Sequence, residues 1–344
     1  MTTELLNTLY VQTQGTSLHL DHDSVRIVDP NTPGRKTLPL RRLDSIVVYG
    51  HVAISAELLA RCSQDGRSVV WMSLSGQFQG RLDGPTRGNV LLRHAQHLAH
   101  ADSEKRLTIA RSFVAGKLQN SRQLLLRAAR DMSGARQEEL RAIAADGERL
   151  LEVARTAKGL DELLGCEGQA ARQYFQGLGL ALRSDLDIGG LGARTKRPPT
   201  DPINALLSFT YALLRTVVHG AAEQVGLDPY IGFLHSIRPA KPSLVLDLME
   251  EFRPLHADRF VLNLLNRKQI RAEHFEHLPG GAVQLTEVGR KLVLVEWQRW
   301  KAREQAHPLL GRRVPTCLLP VIQSRLLARH IRGELPSYLP WTVR

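Results

Sequence analysis

Short apolar runs separated by turn-forming residues occupy the first part of the chain. Residues 9–11, 17–20 and 25–28 are rich in Leu, Val and Ile, and Gly15 and the segment 21–23 interrupt them. Runs of this length, bounded by Gly and Asp, are typical of strands joined by tight turns. We therefore predict that the chain begins with β structure.

Two longer β-branched runs indicate a strand–helix–strand unit in the same region. Residues 45–49 and 68–72 read Ser-Ile-Val-Val-Tyr and Ser-Val-Val-Trp-Met. Between them, Ser55 stands where an N-cap would begin a short helix over residues 56–62. A further strand is predicted at residues 77–82.

The pattern changes to a helical period after residues 83–88, which are Asp-Gly-Pro-Thr-Arg-Gly. Apolar side chains then recur at Leu107, Ala110, Val114 and Leu118, the spacing of one helix face. At 344 residues the chain is long enough for two domains. We predict an α+β fold, with a small N-terminal β-rich domain (1–82), a linker (83–88), a larger all-α domain (89–334) that holds the candidate catalytic residues, and an irregular C-terminal tail (335–344).

Two further helices are predicted with particular side chains facing inward. Glu167, Ala171 and Tyr174 follow steps of four and three, which place the carboxylate on an apolar stripe. Another helix begins with Asp201 as cap and Pro202 in the first turn, and it is apolar nearly all round to Val218. We expect it to be a buried central helix.

A third helix carries three acidic residues. Ser243 is a candidate cap for a helix that begins at Leu244, and apolar side chains then cover one broad face. Asp247, Glu250 and Glu251 share the other side. Spacing does not choose between Glu250 and Glu251, and on spacing alone an ordinary solvated acidic face is the favoured interpretation.

Charge and residue type together suggest chemistry on nucleic acid. His235 precedes Asp247 and Glu250 by twelve and fifteen residues, and carboxylates with one imidazole suit a hard ion such as Mg²⁺ or Mn²⁺. The whole chain is nevertheless basic, with a net charge of +12. A basic surface favours a polyanionic partner. The joint interpretation is metal-dependent phosphoryl transfer on DNA or RNA.

Several basic residues are candidate phosphate contacts because they lie near these motifs. They are Arg194, Lys196, Arg197, Arg238, Lys241, Arg290 and Lys291.

The cysteines and the apolar segments bear on the compartment. Cys62, Cys166 and Cys317 form no CxxC pair and leave an odd thiol, which fits a reducing compartment. The start of the chain lacks the pattern of a signal peptide, and Arg215 interrupts the longest apolar helix candidate. We expect a cytoplasmic protein without a membrane span.

Motifs spread over nearly the whole chain resemble one family. Residues 232–235 and 242–254 look like the signature of the CRISPR-associated spacer integrase, the metal-dependent nuclease subunit of the CRISPR adaptation machinery. Segments 9–11, 165–168 and 201–208, and Leu285-Thr286 with 289–291, resemble the same family in the expected order. The closing residues 327–333 look most similar to members from type I systems, subtype I-C.

The resemblance implies a site and a reaction. The family's metal ligands match Glu167, His235 and Glu250, and Asp247 matches a further acidic position beside the metal, so these four are the candidate catalytic residues. Many relatives carry Asp where this chain has Glu250, and we expect Glu251 to be an outer or solvent-facing residue. The implied reaction is transesterification, in which the 3′-hydroxyl of a DNA fragment attacks a CRISPR repeat with Mg²⁺ or Mn²⁺ as cofactor.

The resemblance also implies partners. Double-stranded DNA would be present both as the fragment to be inserted and as the repeat. The chain would form a homodimer through its β domain, and two dimers would be bridged by a small ferredoxin-fold partner in a heterohexamer. Two rival functions remain open at this stage: a metal-dependent phosphoesterase of other substrates, and a non-catalytic DNA-binding subunit.

Other conspicuous residues have ordinary interpretations. His94, His97 and His100 recur every three residues, which we interpret as a solvated helix face rather than a metal site. Cys166 is expected to pack in the interior rather than act as a nucleophile. Residues 279–281 predict a hairpin tip.

Overall fold

The chain divides into two compact units, Met1–Gly88 and Asn89–Arg344. A computed structural model describes residues 8–31, 34, 36–43, 45–73, 78–82, 90–183, 185–192, 194–195 and 198–343. The predicted linker 83–88 lies outside the described residues. The β-rich first unit and the mainly helical second unit make this an α+β protein.

The first unit holds two sheets among its described residues. One has the strand order β1-β5-β7-β8 and the other β4-β3-β2-β6. The elements are β1 (Thr8–Val11), β2 (Ser17–Asp21), β3 (Ser24–Val28), β4 (Lys36–Pro39), β5 (Ser45–Tyr49), β6 (Ala53–Ile54), α1 (Ala56–Gln64), β7 (Ser68–Met72) and β8 (Phe78–Leu82).

The predicted strand–helix–strand unit is confirmed. Strands β5 and β7 are parallel, and α1 lies between them in the chain. The Ser55 side chain caps α1 by accepting from the Leu58 N–H. Strands β4 and β6 were not predicted, because the first is polar and the second is only two residues long.

The second unit is built mainly from helices, but the prediction that it is all-α was wrong. Its helices are α2 (Val90–Ala101), α3 (Ser103–Arg130), α4 (Ala135–Thr156), α5 (Leu160–Leu180), α6 (Pro202–Val225), α7 (Ser243–Phe252), α8 (Arg259–Asn266), α9 (Glu287–Ala302) and α10 (Leu319–Ile331). Two antiparallel hairpins interrupt them: β9 (Phe275–His277) with β10 (Val283–Leu285), and β11 (Glu304–His307) with β12 (Arg312–Pro315). The first hairpin turns at the predicted tip, residues 279–281.

Helix α6 is the buried central helix that the sequence predicts. Asp201 caps it by accepting from the Asn204 N–H, and Pro202 is its first residue. By length and composition α6 is the one helix among the described residues that could span a membrane, yet 61% of its most apolar window is buried inside the protein. A core helix of this kind satisfies the same criteria as a membrane span.

Helices α3, α5 and α7 bring together the residues of the candidate site. Helix α7 passes directly into a π-helical turn, Arg253–Asp258, before α8 begins. Residues 335–343 contain no helix or strand, as predicted for the tail. They are nevertheless packed into the protein, because Tyr338 and Trp341 are both fully buried.

Candidate functional site

The three carboxylates of α7 are all buried. Asp247 and Glu251 are 0% exposed and Glu250 is 5% exposed. The interpretation of a solvated acidic face was therefore wrong, because α7 is covered by α3, by α6 and by the C-terminal tail. The predicted Ser243 cap was also wrong. Ser243 is the first residue of the helix, and its hydroxyl donates to the Ser236 carbonyl at 2.8 Å.

Asp247 holds the loop that carries His235. Its carboxylate oxygens accept from the backbone N–H groups of Phe233 (2.6 Å), Leu234 (3.0 Å) and His235 (2.9 Å). The same carboxylate lies 2.6 Å from His235 Nδ1. Since a carboxylate accepts, Nδ1 is the donor, and in the neutral imidazole Nε2 keeps the lone pair that a metal ion requires.

The close approach of this loop to α7 requires glycine at position 232. A Cβ atom there would lie 2.6 Å from Asp247 Oδ2 and 2.8 Å from the Ser243 Cβ. Neither neighbour is free to move, since Asp247 is tied to the loop and Ser243 belongs to the first turn of α7. Any larger residue would push His235 away from Asp247.

Glu250 and Glu167 meet at a shared cation, Lys117 of α3. The Lys117 ammonium lies 2.6 Å from Glu250 Oε2 and also forms an ion pair with Glu167 Oε1. Arg253 adds a second cation, with its Nη1 3.0 Å and 3.3 Å from the two Glu250 oxygens. Burial opposes ionisation of Glu250, but Lys117 and Arg253 outweigh it and lower its pKa to about 2. Glu250 is therefore a carboxylate at neutral pH.

His235 is close enough to Glu250 to contribute to the lowered pKa of that carboxyl. Glu167 is half-buried, as its place on an apolar stripe predicts. Thus Glu167 and Glu250 converge on one cation, with His235 nearby and Asp247 behind it. Within the described part of the chain, no three His, Cys, Asp or Glu side chains are already grouped closely enough to hold a metal ion.

Glu251 is neither an outer residue of this site nor solvent-facing, so that expectation was wrong. Its carboxylate accepts from the Tyr338 hydroxyl (2.6 Å), the Trp341 N–H (2.5 Å) and the Gln323 amide (3.1 Å). Burial raises the pKa of Glu251 to about 8 against the effect of these donors. The residue anchors the C-terminal tail to the back of the site helix.

Asn120 and Gly116 of α3 complete this anchor. The Asn120 amide donates to the carbonyls of Glu251 and Trp341, at 2.8 Å each, and its oxygen accepts from the Val343 N–H at 3.1 Å. A Cβ atom at Gly116 would lie 2.7 Å from Pro340. Residues next to Lys117 and next to Glu250 therefore hold the same tail.

Sequence reasoning missed Lys117, Arg253 and a buried carboxyl, Asp258. Asp258 accepts from the hydroxyls of Tyr174 (2.6 Å) and Tyr211 (2.5 Å), and the Arg253 guanidinium lies 4.6 Å from the Tyr211 ring centre. One signal was available for Lys117. It falls seven residues after Ala110 and three after Val114, so a charged side chain stands on the predicted buried face of α3.

The candidate phosphate contacts separate into two groups. Arg194 donates to Asn204 Oδ1 (2.8 Å) and Ser208 Oγ (3.1 Å), and burial lowers its pKa. Arg290 is 7% exposed and donates to the Leu285 carbonyl at 2.7 Å. Each guanidinium therefore has partners inside the fold, and its contact with a phosphate stays a prediction.

The remaining candidates are more accessible or fall outside the described chain. Arg238 and Lys291 are exposed, and Lys241 is partly exposed. Lys196 and Arg197 lie outside the described residues. Arg238 and Lys241 belong to the loop that follows His235, so this loop places two at least partly exposed cations close in sequence to the site.

The histidines of α2 and the thiol of Cys166 were both given ordinary interpretations from the sequence. His94 and His97 are exposed as expected, but His100 Nδ1 lies 2.6 Å from the Gly232 carbonyl and so contacts the His235 loop. Cys166 is buried and its thiol donates to the Leu150 carbonyl at 3.2 Å. Its burial confirms the packing role, and the same burial raises the pKa of the thiol.

The donor chemistry of the site fits a hard divalent ion. Two carboxylates that already share one cation supply oxygen ligands, and an imidazole with Nδ1 bound to a carboxylate supplies an oriented nitrogen. A partly buried cluster of this kind, next in sequence to accessible cations, fits an enzyme that acts on a polyanion such as DNA.

Comparison with known proteins agrees with an enzyme that acts on DNA, and it identifies the particular kind of enzyme as a CRISPR-associated endonuclease. The chain belongs to the family of the CRISPR associated protein Cas1, whose model matches residues 9–299. It is 45% identical over 343 residues to the CRISPR-associated endonuclease Cas1 1 of Moorella thermoacetica, covering 99% of each chain. It is also 45% identical over 345 residues to the CRISPR-associated endonuclease Cas1 2 of Rhodospirillum rubrum, covering 98% of each.

Solved structures share the fold. A Cas1 protein from Thermotoga maritima superposes with a TM-score of 0.83 at 25% identity, covering 98% of this chain and 100% of that one. At lower identity, a casposase bound to integration product has a TM-score of 0.84 at 23% identity, covering 97% of this chain and 93% of that one. A chain of a Cas6-RT-Cas1–Cas2 complex also matches, with a TM-score of 0.84 at 20% identity over 99% of this chain and 37% of that one. These last two comparisons concern the fold alone.

Proposed function

We propose that this Cas1-family endonuclease is a spacer integrase. The 3′-hydroxyl of a DNA fragment attacks a phosphodiester at a CRISPR repeat, so that a new phosphodiester forms, the old one breaks, and the cut strand leaves with a free 3′-hydroxyl. The observation that carries the proposal is the pair of carboxylates, Glu167 and Glu250, that converge on one cation beside His235. Glu167, His235 and Glu250 would hold one Mg²⁺ or Mn²⁺ ion. When bound, that ion supplies polarisation of the phosphate and stabilisation of charge on the attacking or leaving oxygen.

The residues of the chain do the work of orientation. Asp247 fixes the His235 ring through Nδ1 and fixes the loop through three backbone N–H groups, so Nε2 is presented in one direction. Arg253 and Lys117 keep Glu250 ionised inside a buried environment. No protein nucleophile is required, since the attacking group is the hydroxyl of the DNA fragment.

The DNA would be held by the accessible cations. Arg238 and Lys241 follow His235 in the same loop, and Lys291 is exposed on α9. A net charge of +12 supports binding of both the double-stranded fragment and the repeat through their phosphates.

The assembly is proposed from the resemblance and the structural neighbours. A homodimer through the N-terminal β-rich unit would place two sites in one particle. A small ferredoxin-fold partner would bridge two such dimers into a heterohexamer, and a structural neighbour occurs in a complex with Cas2. We propose subtype I-C because residues 327–333 resemble members of that subtype, and a cytoplasmic location because the chain has three cysteines without a CxxC pair.

A strand-transfer assay tests the proposed reaction. The purified chain, with its partner, would be mixed with a 3′-hydroxyl DNA fragment, a plasmid bearing a repeat, and Mn²⁺. We expect covalent joining that EDTA and Glu250→Gln both abolish. Joining that persists in EDTA would remove the metal from the proposal. DNA binding without joining would favour a non-catalytic subunit, and hydrolysis of a small phosphoester without joining would favour a phosphoesterase.

A further inference from the structure

Lys117 occupies the position between the two carboxylates that the proposed function assigns to a metal ion. Its ammonium contacts both Glu167 and Glu250, and its side chain is 9% exposed. Lys117 comes from α3, whereas the carboxylates come from α5 and α7. One charged side chain therefore links the three helices at the centre of the site.

A cation in this position competes with a metal ion. A divalent ion held by Glu167 and Glu250 would need the space and the negative charge that the ammonium now uses. Two positive charges in contact with the same buried oxygens repel each other strongly, because a low-dielectric interior screens them poorly. Glu250 is already paired with Arg253 as well, so little negative charge remains to stabilise both cations.

A neighbouring pocket offers the ammonium another place. The pocket lies between α3, α4 and α5, and its lining includes Lys117, Ser121, Ala170 and Gln173. Gln173 Oε1 is buried and has no hydrogen-bond partner within the described structure. A buried carbonyl oxygen without a donor is unfavourable, and an ammonium group would satisfy it. The other charged residue of the pocket, Arg122, is paired with Glu148 at 2.8 Å.

Resting on the proposed function, we propose that Lys117 is an internal competitor for the divalent metal. Metal binding at Glu167 and Glu250 moves the Lys117 ammonium into the adjacent pocket, where Gln173 Oε1 accepts from it. Lys117 is thus a positioning residue. It keeps the two carboxylates together when no metal is bound and lowers the affinity of the site for the metal.

Mn²⁺ affinity measured by electron paramagnetic resonance of the free ion tests this directly. We expect Lys117→Met to bind Mn²⁺ about tenfold more tightly than the wild-type chain, because a charge that competes for both ligands has gone. Lys105→Met is the matched control. It removes a lysine from the same helix that pairs with Asp102 and is largely exposed, so Mn²⁺ affinity should stay within about twofold of wild type.

The opposite result would overturn the inference. Equal or weaker Mn²⁺ binding by Lys117→Met would mean that the ammonium does not compete with the ion. Thermal melting gives a second readout: without Mn²⁺ the variant should melt lower than wild type, and saturating Mn²⁺ should raise its midpoint more. If Lys117→Met does not fold, Lys117→Gln removes the charge but keeps a donor, and the same tighter binding is expected.

Two more variants separate the parts of the proposal. Gln173→Leu should weaken Mn²⁺ binding several-fold, because the displaced ammonium loses its acceptor; unchanged affinity would show that the ammonium does not move to Gln173. Glu250→Gln should abolish the Mn²⁺ site in every background. If it does not, the metal assignment of the proposed function fails. If it does, but Lys117→Met binds no more tightly than wild type, only the competition fails.

Discussion

Glu250 and Glu251 are neighbours on one helix and both are buried, yet their surroundings shift the pKa values of the two carboxyls in opposite directions. Glu250 faces two cations, Lys117 and Arg253, and its pKa falls to about 2. Glu251 faces only neutral donors, and burial raises its pKa to about 8. Burial alone therefore does not decide whether a carboxyl is ionised. The charge of its partners does.

The two carboxylates also have different roles, since Glu250 is a candidate metal ligand and Glu251 holds the C-terminal tail. A rotation of about 100° between successive helix residues turns Glu250 toward α3 and α5 and turns Glu251 toward α10 and the tail. Glu250 keeps a negative charge that a metal ion can use. Glu251 ties down a segment that has no regular structure of its own.

The largest expected effect is on the Glu250 side of this comparison. Replacing Glu167, His235 or Glu250 by alanine should slow Mn²⁺-supported strand transfer on the order of 1000-fold. The reason is that a catalytic metal ion lowers the activation free energy by several kcal/mol, and each variant loses a ligand of that ion. Circular dichroism and DNA affinity should change little. Strand-transfer rates close to wild type in all three folded variants would contradict the proposed site.

Glu251→Ala should act mainly on stability. It removes the acceptor of the Tyr338 hydroxyl, the Trp341 N–H and the Gln323 amide, which should lower the free energy of unfolding by about 3 kcal/mol. Below its melting temperature the variant should still bind Mn²⁺ and still join DNA. Urea unfolding beside a strand-transfer assay checks both points, and loss of Mn²⁺ binding in a folded variant would make Glu251 part of the metal site.

Asp247→Asn should give a smaller effect than loss of a ligand. Four groups of the loop donate to the two oxygens of Asp247: the His235 ring and three backbone N–H groups. An asparagine side chain keeps only one of these two acceptor oxygens. Mutation of a residue that hydrogen-bonds to a metal ligand typically lowers metal affinity 10- to 100-fold, so the affinity for Mn²⁺ should fall by roughly that factor. Calorimetric titration with Mn²⁺ measures it, and an unchanged affinity would show that Asp247 does not act through His235.

Glu251 should also impose a pH dependence on stability. Its pKa in the folded protein, about 8, lies above the ordinary value of 4.5, so between these values the folded state holds a proton that the unfolded state has released. Stability from this group is therefore fully present below pH 4.5 and is lost as pH rises toward 8. The slope from this group should approach about 1.4 kcal/mol per pH unit, and it should disappear in Glu251→Gln. Equal slopes in the two proteins, from urea midpoints across this range, would show that Glu251 is ionised throughout.

Local elements of the fold were predictable because their signals lie within a few residues. Ser55 caps α1, and Asp201 with Pro202 begins α6, as their sequence positions indicate. The inward placement of Glu167 followed from helical spacing. The polar strand β4 and the two-residue strand β6 carry no such signal.

The contacts that distinguish the two carboxylates were not predictable from spacing. Lys117 is more than a hundred residues from Glu250 in the chain, and the partners of Glu251 come from positions 323, 338 and 341. Both carboxylates have the same local pattern, and only tertiary packing brings different partners to each. The resemblance to the integrase family selected Glu250, and the structure supplies a physical reason to prefer it.

The smallest expected effect concerns a second pair of neighbours, Arg290 and Lys291 on α9. Lys291 is exposed, so Lys291→Ala should weaken DNA binding slightly for any sequence and reduce the salt dependence by about one phosphate contact. Arg290 is buried and donates to the Leu285 carbonyl, so Arg290→Ala should instead lower the melting temperature. Fluorescence anisotropy at several salt concentrations, beside thermal melting, separates the two effects. If the salt dependence of DNA binding changed for Arg290→Ala but not for Lys291→Ala, Arg290 would be the residue that contacts DNA. Burial of the side chain would then fail to distinguish the structural cation of this pair from the one that contacts DNA.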